Sequence, residues 1–294
     1  MDASDLRVFE AVARLGGMNR AAAELNTVQS NVTARIRALE DELGTPLFHR
    51  HARGVDITDA GRRLLPYAAR VRVTLQEARR AVADAGTPAG PLTIGSLETT
   101  AALRLSPLLA GYARSYPDVD LIIRTGTTCE LIQQVLDSQL EGAFVCGPVE
   151  HAELEAESVF REELALLTAP ELRSIDEALA RRDLRIVVLR AGCSYRERLE
   201  AILARRGITA TRMLEFGTLE AIVGCVGAGL GVTLLPRSLI GPVWSAARVA
   251  VHALPAAEAM VQTVLIRRRD AFLSSALAAF LAQARPALTR AAAE

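Results

Sequence analysis

Lysine is missing altogether. All 34 basic side chains are arginine, set against 34 acids, so the formal net charge is zero. The absence of lysine carries no functional conclusion, but the neutrality excludes a chain that binds nucleic acid through a globally basic surface; a local positive edge remains open to it. Long hydrophobic runs are also missing: none approaches the roughly 18 residues that span a bilayer. The start, MDASDLRVFEAVARLGG, lacks the basic opening and apolar core of a secretory signal, so a cytoplasmic location is expected. Cysteines 129, 146, 193 and 225 form no C-x-x-C pair, and histidines 49, 51, 151 and 252 form no ligand-spaced cluster. That excludes a recognisable zinc site or disulfide framework; four reduced thiols, no metal and no cofactor are expected. No nucleophile–base pair is evident, and the glycine-rich Gly224–Gly231 lacks phosphate-loop spacing, so an enzyme is not expected. Those glycines suit close helix–strand packing and a tight turn.

What is present is concentrated between Met18 and Arg50. Ala21–Leu25 reads as a short helix, Asn26–Val28 as a turn and Gln29–Leu43 as a longer helix. Val32, Ile36, Leu39 and Leu43 recur at helical spacing and give the second helix an apolar stripe. Its other face carries Gln29, Ser30, Asn31, Thr33, Arg35 and Arg37. Amides and hydroxyls at the N-terminal end of such a helix, followed by arginines, suit base edges and phosphates in a major groove. Two arginines and no acid lie between Val28 and Leu39, and Glu40, Asp41 and Glu42 follow at the far end. This is a helix-turn-helix pattern.

The rest of the chain reads as its apparatus. Asp5–Gly16 forms a supporting amphipathic helix ended by Gly16-Gly17. Thr45–Thr58, with Leu47 and Phe48 as anchors and His49, Arg50 and Arg53 around Gly54, reads as a wing whose arginines reach phosphates. Thr58 caps a long helix to about Ala85. There Leu64, Ala68, Val71, Leu75, Ala78 and Val82 repeat in heptad fashion and predict a partner helix, with Pro66 as a local exception. Gly86–Pro91 is a hinge. Beyond it short strands alternate with helices. Strands are expected at Leu92–Ile94, Asp120–Arg124, Ala143–Cys146, Leu164–Thr168, Ile186–Leu189, Arg212–Phe216, Val232–Leu235 and Val261–Ile266. Helices are expected at Thr99–Ser115, Glu130–Ser138, Ile175–Arg182, Tyr195–Arg206, Leu219–Ala228 and Phe272–Leu288. This alternation predicts mostly parallel sheets covered by helices.

AAAELNTVQSNVTARIRALEDELGTPLFHR, the following TDAGRRLLPYA and the βα-rich remainder together resemble the LysR-type transcriptional regulators. The stretches IGSLETTAALRLSPLL, TGTTCELIQQVL, GAFVCGPVEH, RAGCSYRERLE and GCVGAGLGVTLLPRS resemble more weakly the YofA/SoxR-type subgroup. The resemblance implies an α/β chain with an all-α N-terminal part: a winged helix-turn-helix (1–58), a dimerisation linker helix (59–85), a hinge (86–91) and an effector-binding domain (92–294). That last domain is expected to have type 2 periplasmic-binding-protein architecture. Subdomain I covers about 92–162 and 262–294, and subdomain II about 163–261. The resemblance also implies a homotetramer that binds an inverted repeat in double-stranded DNA and answers to a small-molecule effector, with RNA polymerase as a possible partner. Val28 stands where the family often caps the recognition helix with Ser or Thr, so Thr27 is expected to cap one residue earlier.

Base or sugar contact is expected from Gln29, Ser30, Asn31 and Thr33, and phosphate contact from Arg35, Arg37, Arg50 and Arg53. Effector contact is expected at the carboxyl ends of strands and the starts of the following helices: Ser96, Glu98, Thr99, Thr100, Thr127, Thr128, Cys146, Gly147, Cys193, Ser194, Tyr195 and Phe216. Ser96, Thr99, Thr100, Thr127, Thr128 and Ser194 also read as plain helix caps. Helix N-termini on both sides of a cleft favour an anion, whereas Glu98 suits an amine or a backbone group. Cys129 and Cys193 sit at helix starts, where the dipole lowers a thiol pKa. The competing function is a solute-binding or redox-sensor protein without sequence-specific DNA binding.

Overall fold

The computed structural model describes residues 1–51, 54–180, 184–208, 212–240 and 249–290, with side chains to residue 285. Arg53 and Arg182, named above, lie outside the described residues. The chain divides into two compact units, one ending at Ala85 and the other beginning at Gly86.

In the first unit α1 spans Ala3–Leu15. Asp2 and Asp5 form a reciprocal capping box at its start, and Gly16, at φ +63°, stops it. α2 runs Met18–Glu24, starting three residues earlier than its alanines suggest, because Gly17 follows the Gly16 stop directly and opens the next helix. Ala21 and Ala22 are buried where α2 meets its neighbours. α3 is Gln29–Leu43. Thr27 does not cap it: Val28 holds the cap position without a side-chain bond, and the Thr27 hydroxyl instead accepts from the Asn31 amide at 3.0 Å. Val32, Ile36 and Leu39 are buried, but Leu43, in the last turn, is exposed. Strands β1 (Phe48–His51) and β2 (Gly54–Ile57) pair antiparallel as the wing. Phe48 packs on Phe9 with ring centroids 5.4 Å apart. The Glu40 carboxylate fastens the wing to α3 by accepting from the Leu47 and Phe48 amides at 2.8 and 3.2 Å. α4, Asp59–Ala83, is capped by the Thr58 hydroxyl and continues through Pro66. Along its heptad stripe Ala68 is buried, whereas Leu75 is 45% and Val82 90% exposed.

The second unit contains strands β3 (Gly90–Ser96), β4 (Val119–Thr125), β5 (Gly142–Cys146), β6 (Leu154–Thr168), β7 (Arg185–Leu189), β8 (Arg212–Phe216), β9 (Thr233–Pro236), β10 (Ala250–Ala253) and β11 (Met260–Arg268). Its helices are α5 (Glu98–Thr100), α6 (Ser106–Ser115), α7 (Thr128–Leu136), α8 (Ile175–Leu179), α9 (Ser194–Arg205), α10 (Leu219–Gly227), α11 (Ala256–Ala259) and α12 (Ser275–Arg290). A π-helical turn, Ala101–Leu105, joins α5 to α6. A 3-10 turn covers Arg237–Leu239.

Two sheets share one strand. β4, β3 and β5 run parallel; β11 then lies antiparallel to β5, and β6 antiparallel to β11 up to Glu163. From Leu164 onward β6 pairs antiparallel with β9 and β10. A parallel bridge between Ile186 and Val232 brings in the parallel pair β7–β8. The sheets are therefore mixed rather than mostly parallel. β6 leads out of the first half and β11 leads back, so the two crossing strands run in opposite senses and impose antiparallel pairing on their neighbours. β6 begins ten residues before the expected Leu164, and β10 is a strand the sequence pattern does not announce.

One core surrounds Leu105, Tyr112, Phe144 and Phe280. Tyr112 is fully buried, meets Phe280 edge-on at 5.3 Å and donates its hydroxyl to the Ala276 carbonyl at 2.7 Å. A larger core extends from Leu131 and Val145 through Leu164–Leu167 to Ile186, Leu199 and Ile222. Gly229, at φ +80°, forms a tight turn, and Gly231 lets β7 approach, since a Cβ there meets the Arg185 carbonyl oxygen at 2.5 Å. No described helix is long and apolar enough to cross a membrane.

Candidate functional sites

The first turn of α3 stands in solvent. Gln29, Ser30, Asn31 and Arg37 are exposed, Thr33 and Arg35 half-buried. With no side-chain cap, the leading N–H groups of this 15-residue helix carry the positive end of its dipole outward. Gln29 donates its amide to the Thr33 hydroxyl at 2.9 Å, which turns its carbonyl oxygen toward solvent as an acceptor. Asn31 spends one amide proton on Thr27. Two of the arginines are tied down within the unit: Arg35 to Asp5 at 2.9 Å and Arg50 to Glu40 at 3.1 Å. Those acids orient the guanidinium groups, a role the sequence did not disclose because Asp5 lies 30 residues from Arg35.

In the second unit the strand-end residues separate into two cavities. Glu98, Thr99, Thr127, Cys193 and Tyr195 line one of about 310 Å³, together with Leu97, Thr125, Gly126, Leu189, Arg190 and Gly217. Thr128, Cys146, Gly147 and Ser194 line a second, of about 650 Å³, with Cys129, Arg198 and Arg205 also on its wall. Ser96, Thr100 and Phe216 line neither. Ser96 and Thr100 are fully buried, and Phe216 packs against the larger core.

Of the six hydroxyls that read as caps, Thr127 is the one that caps with its side chain, in a capping box with Glu130. Ser96 donates to the adjacent Leu97 carbonyl at 2.9 Å, whereas Thr99, Thr128 and Ser194 make contacts across the two halves of the unit. The Ser194 hydroxyl donates to Thr128 at 2.9 Å, and Thr99 meets the Tyr195 hydroxyl at 3.2 Å. The Cys129 amide donates to the Gly192 carbonyl at 3.5 Å. Gly192, at φ +86°, permits this approach: a Cβ there stands 2.9 Å from the Thr127 hydroxyl oxygen. The Leu219 amide at the start of α10 favours the charged form of Glu98. Burial nonetheless pushes this carboxyl above the usual range. Arg190 lowers the pKa of both Glu98 and Glu130, and so brings positive charge to the smaller cavity. The sequence reading missed Arg190; its position directly after β7, at a strand's carboxyl end, was the available signal.

The expected low-pKa thiol at Cys193 is not found. Cys193 occupies the cap position of α9, but burial is the largest influence and raises its pKa, outweighing the hydrogen bonds from the Arg196 and Tyr195 amides. Cys146 is raised by burial as well. Among the described residues no cluster of His, Cys, Asp and Glu suits a metal ion.

Beneath the smaller cavity lies a residue that sequence reasoning passed over. Glu162, on β6 beside the point where that strand changes partners, is 3% exposed and accepts from the Tyr195 hydroxyl at 3.4 Å. Burial raises its carboxyl to about 6, against the opposing pull of Arg104.

Two family models match the chain: "Bacterial regulatory helix-turn-helix protein, lysR family" over residues 3–62 and "LysR substrate binding domain" over residues 85–289. The HTH-type transcriptional regulator GltR of Bacillus subtilis is 45% identical over 95% of both chains. YofA of the same organism, also named as an HTH-type transcriptional regulator, is 43% identical over 96% of this chain and 97% of its own. The solved structure of full-length CbnR with its target DNA superposes at TM-score 0.68. It covers 98% of this chain and all of that one at 22% identity, and so shows the shared fold. The helix-turn-helix, the two-part α/β unit and these relatives lead to one conclusion: the chain belongs to the LysR family and is a DNA-binding transcriptional regulator with an effector-binding domain.

Proposed function

We propose that this regulator binds an inverted repeat as an oligomer and that a small anionic effector in the 310 Å³ cavity biases its DNA-bound conformation. The observation that carries the effector reading is that residues of both halves of the second unit, Thr99 and Thr127 from one and Cys193 and Tyr195 from the other, line a single cavity beside Arg190. A ligand held there gains or loses contacts as the halves move. A hundredfold preference for one state is worth about 2.7 kcal/mol, enough to move a balanced switch nearly to one side. Arg190 and the starts of α7 and α9 favour an anion, and burial favours the neutral form of Glu98 beside them.

On DNA, Gln29, Ser30, Asn31 and Thr33 take the base and sugar contacts. Arg37 and Arg53 take phosphates, with Arg35 and Arg50 held in place for the same purpose by Asp5 and Glu40. Residues 1–58 form the DNA-reading domain, 59–85 the dimerising helix and 86–91 the hinge. Residues 92–294 form the effector domain, which divides near 162 and 262. Dimers form through Leu75, Ala78 and Val82 of α4 and associate into a tetramer in the cytoplasm, where contact with RNA polymerase completes the response.

Genome-wide occupancy with the protein's own upstream region as internal control tests the DNA half. A few sharp sites that share an inverted repeat support it, and diffuse occupancy refutes it. A thermal-shift screen of small carboxylates, oxyanions and amines on the full chain tests the effector half; stabilisation by amines alone refutes the anion.

A further inference from the structure

Three residues link the cavity wall to the crossing strands. Thr99 lines the cavity and meets the Tyr195 hydroxyl at 3.2 Å; that hydroxyl in turn lies 3.4 Å from Glu162 Oε2. All three are buried, and Glu162 Oε1 makes no hydrogen bond among the described residues. Each hydroxyl has one proton to give, so the direction of the chain is set at its buried end.

An ionised Glu162 only accepts. Tyr195 must then donate to it, Thr99 must donate to Tyr195, and Thr99 offers the cavity lone pairs alone. A protonated Glu162 donates to the Tyr195 oxygen, Tyr195 donates to Thr99, and the Thr99 proton turns into the cavity. The wall thus changes from hydrogen-bond acceptor to hydrogen-bond donor as one proton moves from solvent to Glu162. No bond other than that O–H forms or breaks.

We propose that Glu162, acting through Tyr195 and Thr99, sets the hydrogen-bond polarity of the effector cavity, so that a carboxylate effector enters together with a proton. This rests on the cavity reading above and adds to it the effector's class and a coupling to pH. Glu162 faces Arg104 from the π-helical turn, Tyr195 from α9 and Cys146 at the end of β5, with Val261 opposite it on β11. The Arg104 guanidinium lies 5.6 Å from the centroid of the Phe160 ring and favours the charged form. Burial favours the neutral form and outweighs Arg104, which places the titration near neutrality (about 6) before any ligand is bound. A carboxylate arriving in the cavity adds a like charge and draws the proton on further.

The test uses the full chain with acetate and ethylammonium as probes, titrated calorimetrically between pH 6 and 8 in two buffers of different ionisation enthalpy. Wild-type acetate affinity is expected to fall by up to about tenfold per pH unit, and proton uptake to approach one per acetate. Glu162→Gln, whose amide donates permanently to Tyr195, is expected to bind acetate with a flat pH profile, no proton uptake and up to about 100-fold tighter than wild type at pH 8. Tyr195→Phe cuts the chain and is expected to lose the pH dependence without that gain. Acetate binding with the same pH profile in wild type and Glu162→Gln overturns the relay alone. Failure of both proteins to bind acetate at pH 6, or preference for ethylammonium there, overturns the anion-cavity reading with it.

Discussion

Gly192→Ala probes how closely the two halves of the effector domain must approach. Gly192 has φ +86°, where an L side chain costs about 1–2 kcal/mol. Its new Cβ stands 2.9 Å from the Thr127 hydroxyl oxygen and 3.3 Å from the Cys129 Cβ. The hydroxyl cannot withdraw freely, because it caps α7 by accepting from the Glu130 amide, a cap worth about 1 kcal/mol. The sum is a loss of roughly 2–3 kcal/mol, or about 4–12 °C in the melting temperature of a unit of this size. Scanning calorimetry reads it, and a double-mutant cycle assigns it. Thr127→Ala alone costs the cap but removes the obstruction, so the double variant is expected to lose about 1 kcal/mol less than the two single losses together. The substitution also wedges the cleft, so ligands that bridge the halves bind more weakly. A melting temperature within a degree of wild type, or strict additivity in the cycle, refutes the close-approach argument.

Phe9→Ala removes a fully buried ring packed on Phe48 and is expected to cost about 3–5 kcal/mol, unfolding the DNA-reading unit in urea before the second unit. Glu162 makes stability pH-dependent with a definite sign. Its folded pKa is raised from 4.5 to about 6, so the native state holds the proton longer than the unfolded chain, and stability falls as pH rises through that window. The loss reaches about 2 kcal/mol by neutral pH, with about 1.2 kcal/mol of it falling between pH 5 and 7.5, and that difference is expected to vanish in Glu162→Gln when urea midpoints at those two pH values are compared. Arg37→Ala is expected to weaken binding alike on operator and random DNA and to reduce the salt slope by about one, read by fluorescence anisotropy at several salt concentrations. Leu75→Glu with Val82→Glu places charge on the exposed part of the α4 stripe; light scattering should report smaller particles, and an unchanged mass would remove that stripe from the interface.

The difference between what the sequence disclosed and what it concealed follows the range of the forces involved. The bounds of α3, though not its cap, were legible because its apolar period and the Gly44 stop are local. The start of α2 was not, because Gly16 and Gly17 divide between them the stop of one helix and the start of the next. The N-terminal part of β6 was concealed by Glu155, Glu157, Glu162 and Glu163, which break any apolar alternation. Three of these meet distant arginines: Glu155 pairs with Arg267, Glu157 with Arg285 and Glu163 with Arg237. No local pattern announces partners so far along the chain. Cys193 shows the same limit in energetic form: the helix start was foreseen, but burial, which depends on the whole fold, outweighs it. For the candidate site, strand ends and helix starts led to Thr99, Thr127 and Tyr195, while the group beneath them stayed hidden. Glu162 looks misplaced in a strand that is otherwise headed for the core, and its neighbours Tyr195 and Arg104 come from elements distant in sequence. A buried carboxylate retained on this crossing strand costs stability near neutral pH, and the chain of hydroxyls from Glu162 to the cavity wall gives that cost a function.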